Sequence, residues 1–172
     1  EAAIRATNKA ISIKPDYADA YNNLGNVFLD EDNLEAAAET FNQALSINPD
    51  YVEAYHNMGN VLRRQNKPEE AIKFYNKLLS INPNFAETYF GIGIAYQDQG
   101  KSDEARRAFE KALAIDPTHA GSNLSLSKIC KYSRLDRHFL KLKNIYSTSL
   151  MDDTKKCKLS FALAKMYEDM GD

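Results

Sequence analysis

Apolar residues recur along this chain at the three- and four-residue steps of an amphipathic helix. Tyr21, Leu24 and Phe28 mark one such face, with Gly25 set among them. After a polar interval, Ala37, Phe41 and Ala44 mark a second. The same two-helix pattern returns as Tyr55, Met58, Gly59, Leu62 with Ala71, Tyr75, Leu78. It returns once more as Tyr89, Ile92, Gly93, Tyr96 with Ala105, Phe109, Ala112. Pro15, Pro49, Pro83 and Pro117 keep the same 34-residue step, which four prolines would hardly do by chance.

Each second helix carries its own start and stop. Asn33, Pro68 before Glu69-Glu70, and Ser102 before Asp103-Glu104 are helix-opening signals. Asn48-Pro49, Asn82-Pro83 and Asp116-Pro117 close the helices, because the residue before a proline is pushed out of the α region. Glycine in a helix costs roughly 1 kcal/mol against alanine, so three glycines in step need a packing reason. The small residues Ala37, Ala71 and Ala105 predict a close crossing of the two helices of a unit. One pair buries little apolar surface, so stability must come from stacking on neighbours.

A 34-residue unit with aromatic, Leu-like, Gly, aromatic, Ala, aromatic, Ala and Pro at these places resembles the tetratricopeptide repeat. The resemblance divides the chain into full repeats at 18–51, 52–85 and 86–119, with 1–17 as the second helix of a preceding repeat. It implies an all-α, right-handed superhelical solenoid of antiparallel helix pairs. The function it implies is a protein–protein interaction scaffold that binds an extended peptide in its concave groove.

Beyond Ala120 the pattern frays. Asn123, Leu126, Ser127 and Cys130 take the signature places, so residues 120–152 read as a degenerate repeat. A helical period survives in Leu124, Leu126, Ile129 and in Phe139, Leu140, Leu142, Ile145. Residues 153–172 read as the first helix of a further repeat whose second helix is not present, with Tyr167 at its eleventh place. The strings Leu126–Tyr132 and Phe161–Asp169 are similar to the junction in bacterial proteins that join such repeats to a sulfotransferase domain. That resemblance involves no catalytic motif. It implies the alternative that the chain is a non-catalytic docking arm of a larger enzyme.

The binding face implied by the family is the first-helix stripe opposite the signature residues. It reads Asp19, Asn22, Asn26, Leu29, then Glu53, His56, Asn60, Arg63, then Glu87, Phe90, Ile94, Gln97, with Leu124, Lys128 and Lys131 added by the fourth unit. Asn26 and Asn60 are equivalent, and Asn23 and Asn57 flank them. A carboxamide both donates and accepts, so such a ladder suits a peptide main chain; duplicated, solvated asparagines give the same pattern. Asn26 and Asn57 also match the asparagines of the clamp that captures chaperone C-terminal carboxylates in some family members. Its cationic places here hold Asn22, Glu87 and Gly91, so that ligand is not expected. Phe90 and Ile94 either anchor a ligand side chain or pack against the irregular fourth unit. His56 reads as a polar groove residue rather than a base or a metal ligand.

Charge sharpens the picture. The chain has 172 residues and a net charge of -2, which gives no basic excess for nucleic acid. Residues 18–51 hold seven acids and no lysine or arginine, whereas 120–172 hold ten cations against six acids. The expected groove is acidic at one end and basic at the other, able to orient a charged peptide. Phosphate-loop, zinc-protease and nucleophile-elbow motifs are missing, so no catalytic residue, cofactor or metal is assigned. Cys130 and Cys157 form no CxxC pair, and no apolar run reaches the length of a membrane span. The expectation is a cytoplasmic scaffold with protein partners, open to self-association through its uncapped ends.

Overall fold

The computed structural model describes residues 2–148 and 151–171, and among them it holds ten helices and no strand. The chain divides into two compact units, Glu1–Asn84 and Phe85–Asp172. The first contains α1 (Ala2–Ile13), α2 (Ala18–Asp30), α3 (Leu34–Ile47), α4 (Val52–Arg64) and α5 (Pro68–Ile81). The second contains α6 (Ala86–Asp98), α7 (Ser102–Ile115), α8 (Ala120–Ile129), α9 (Arg137–Thr148) and α10 (Asp153–Met170). In the first unit every helix packs on the next.

A ring closes each pair. A Cβ built on Gly25 would lie 2.5 Å from Cε1 of Phe41, and on Gly59 or Gly93 it would collide with the ring of Tyr75 or Phe109. All three rings are fully buried. Burying one is worth about 2–3 kcal/mol, more than the glycine costs its helix. Ala37, Ala71 and Ala105 are also fully buried, but it is the ring four residues later that covers the glycine.

Three-residue turns, 31–33, 65–67 and 99–101, join the helices of a pair. Their middle residues, Asp32, Asn66 and Gly100, adopt φ of 59°, 59° and 71°. The next amide reaches back to close the turn: Asn33 to the carbonyl of Phe28, Lys67 to Leu62, Lys101 to Tyr96, at 2.8–2.9 Å. Asp, Asn and Gly are the residue types that enter this left-handed region most readily. The turn fixes where the next helix begins, so Lys101 takes the cap position expected for Ser102, while Asn33 caps α3 by accepting from the amide of Ala36.

The fourth pair does not close this way. Ser127 stands in the glycine place, Phe139 in the alanine place and Lys143 in the ring place. A bulky ring where alanine belongs and a charge where a ring belongs keep α9 from folding onto α8. A link, 130–136, replaces the short turn, and Asp136 ends it by accepting from the amides of His138 and Phe139. Helix α10 packs against α8 instead. Phe139 and Leu142 of α9 share a core with Tyr132 and with Leu159, Leu163 and Met166 of α10.

Two substitutions test the ring and the turn in opposite directions. Gly59→Ala should lower stability by about 1–3 kcal/mol, because the Tyr75 ring must move. Asn66→Gly should raise it by on the order of 0.5–1 kcal/mol, by removing a side chain from the left-handed region. Urea unfolding of the two variants against the parent measures both signs.

Candidate functional site

The asparagines of the first unit fall into two groups. Asn57 on α4 donates from its amide nitrogen to Oδ1 of Asn22 at 3.1 Å and of Asn26 at 2.9 Å, both on α2. Both its amide hydrogens are thereby used. Asn22 is buried at 6% exposure, yet the nitrogens of Asn22 and Asn26 and the oxygen of Asn57 are not among the buried, unsatisfied atoms. The two bonds fix the three carboxamides relative to one another and leave two amide nitrogens and one oxygen outside them. Asn23 is exposed and outside this set. Arg63 is half-buried near the end of α4.

Asn60, the equivalent of Asn26, points elsewhere. Its Oδ1 accepts from the Tyr75 hydroxyl at 2.7 Å, and its Nδ2 donates to Nε2 of His56 at 3.0 Å. The His56 ring lies against Tyr75, with centroids 5.9 Å apart. Phe41, in the place of Tyr75 one repeat earlier, has no hydroxyl to draw Asn26 inward. A buried oxygen therefore decides which asparagine faces out, and the sequence signal is Tyr against Phe at the ring position.

Two acids of the stripe hold neighbouring helices. Tyr51 donates from its hydroxyl to Asp19 at 2.6 Å; burial and that bond push its pKa well up. In the second unit His119 Nδ1 accepts from the amide of Ser122, so Nε2 carries the proton toward Glu87, 2.8 Å away. Both contacts join the residue before a first helix to the second place of the preceding one.

Phe90 and Ile94 pack rather than project. Phe90 lies 5.8 Å from the Phe109 ring and 5.1 Å from His119, and a Cβ on Gly121 would meet it at 2.8 Å. Both belong to the cluster of Ala105, Phe109, Leu113 and Leu126. Lys128 is exposed on α8, Leu124 packs on the Tyr132 core, and Lys131 lies past the end of α8.

A polar chain that the sequence did not single out links α8 to α9. Asn123, 1% exposed, gives its amide to the carbonyls of Pro117 and His119, so its Oδ1 must accept from His138 Nε2 at 2.8 Å. Nδ1 of His138 then accepts from the Tyr132 hydroxyl, also at 2.8 Å. Burial lowers the His138 pKa, with Asp136 opposing and Lys141 adding to the shift. Burial likewise pushes up the Tyr132 hydroxyl and the Cys130 thiol. Among the described residues no group of three His, Cys, Asp or Glu is placed to hold a metal ion, and no helix is long and apolar enough to cross a membrane.

The family model described as tetratricopeptide repeat matches residues 16–84 and 54–118. No curated protein matches the chain. A crystal structure of MamA is 20% identical over 96% of this chain and 85% of its own, with a TM-score of 0.67. MamA from Desulfovibrio magneticus RS-1 is 16% identical over 96% of this chain and 82% of its own, with a TM-score of 0.68. At these identities the likeness concerns the fold alone, an all-α array of antiparallel helix pairs.

The His138 chain sets a pH dependence. A folded-state pKa below the ordinary value of about 6.5 means the unfolded chain binds the extra proton first. Its contribution to stability is present above that pH and is lost as pH falls below it. Thermal melts between about pH 7.5 and pH 5 should therefore drop less steeply for His138→Gln than for the parent. Equal slopes would remove His138 as the cause.

Proposed function

Because the chain belongs to the tetratricopeptide-repeat family, we propose that it is a protein-binding scaffold whose first-helix face in Glu1–Asn84 holds an extended peptide by its main chain. The observation that carries this reading is the bond from Asn57 to both Asn22 and Asn26. It orients three carboxamides before any ligand arrives, so binding need not spend free energy on ordering them. Main-chain N–H and C=O groups are what two fixed donors and one fixed acceptor suit. Asn23 and Arg63 flank this set. His56 and Asn60 are tied to Tyr75, and Phe90, Ile94 and Lys128 belong to the other unit.

Within these residues the chain is a scaffold and not an enzyme, as tetratricopeptide repeats generally are. The docking-arm reading comes second. The family match ends at residue 118, so the likeness of the tail to a sulfotransferase junction rests on its sequence alone. Exposed acids on the same two helices or at their ends, such as Asp30, Glu31 and Glu53, favour a ligand with basic side chains.

A peptide-library screen against the whole chain supplies the ligand for a test. Asn26→Ala and Asn57→Ala should each weaken the best binder by about tenfold, through one or two lost hydrogen bonds, with helicity unchanged by circular dichroism. Tyr75→Phe, which releases Asn60, should leave affinity equal or higher. A binder indifferent to both alanine variants would take the asparagine face out of the function.

A further inference from the structure

Where α9 fails to close on α8, the second unit keeps an open cleft of about 910 Å³. Its floor is largely apolar, with Leu113 and Ala114 of α7 and Leu126 and Ile129 of α8, beside Cys130, Tyr132 and His138. Its rim carries Arg106, Lys131, Arg137 and Lys141. Two acids share that rim, and both are engaged: Glu110 lies 3.7 Å from Arg106, and Asp136 caps α9.

Arg137 and Lys141 have no such partner. They are exposed, one turn apart on α9, and no acid among the described residues pairs with either. Like charges at that spacing repel on a helix surface, a cost that an anion between them would turn into attraction. The surrounding segment, 120–172, has ten cations against six acids, so the field extends beyond the pair.

We propose that this cleft is a second docking site, distinct from the asparagine face, and that it takes a partner segment in which apolar side chains are flanked by aspartate or glutamate. The leucine and isoleucine floor receives the apolar side chains, and Arg137 and Lys141 receive the carboxylates. A nucleic-acid backbone would satisfy the rim but leave the floor wet, and it would face Glu110. A purely apolar segment would leave the cations unused. Only an acidic, amphipathic segment meets both parts of the surface.

The test uses the full chain and three labelled, helix-forming peptides of equal length. Each has leucines along one face, flanked by glutamate, lysine or glutamine. Fluorescence anisotropy should show binding of the glutamate peptide alone, weakening as salt rises. Arg137→Glu with Lys141→Glu should weaken it by about tenfold or more, because attraction becomes repulsion. Lys73→Glu with Lys77→Glu makes the same charge change at the same spacing on α5, and should alter binding by less than about twofold. Asn57→Ala should leave it unchanged, so this site and the asparagine face fail or stand separately. Equal losses in the two double variants, or equal binding of the lysine peptide, would overturn the proposal. Light scattering that shows a dimer of the parent and a monomer of the Arg137/Lys141 variant would also overturn it, by giving the cleft to a second copy of this chain.

Discussion

An aromatic ring resting on a bare backbone holds each regular helix pair together, and most other features follow from it. With Phe41, Tyr75 or Phe109 lying on Gly25, Gly59 or Gly93, no side chain can occupy the glycine position. The ring fixes how near the two helices come, and the turn between them must then be short and left-handed at its centre. Because the signature face is spent on this contact, the polar residues of each first helix are left on the other side. The proposed binding face is a by-product of the packing face.

The fourth pair shows the same constraint by its loss. Once Ser127 and Lys143 replace glycine and ring, no ring draws α9 against α8, and α10 takes over the free side. The protein does not lose the helices. It loses only their closure, and the gap becomes a cleft with an apolar floor. Hydrogen bonds among Tyr132, His138 and Asn123 tie only the start of α9 to α8 and leave the pair open.

The repeating part of the fold was legible because its determinants are local and periodic. Helix faces, prolines and glycines all stand at fixed intervals, and their structural counterparts follow within a residue or two. The turn residues Asp32, Asn66 and Gly100 share the same interval, yet three different residue types hide a common backbone state. The candidate site was legible only as a set of positions. That Asn57 would bridge Asn22 and Asn26, while Asn60 would turn to Tyr75, depends on contacts between residues 15 to 35 apart. The rearranged tail was least legible, since the signals for closure vanish there and no periodic signal replaces them.

The difference between Phe41 and Tyr75 reaches further than one hydrogen bond. Both rings fill the same interior space, so the extra oxygen barely disturbs packing, but it captures a surface carboxamide one helix away. A tandem array can therefore diversify its recognition face without changing a residue on that face. Identical outer side chains in successive units need not be identical contacts, and part of the specificity of such a scaffold is stored in its interior.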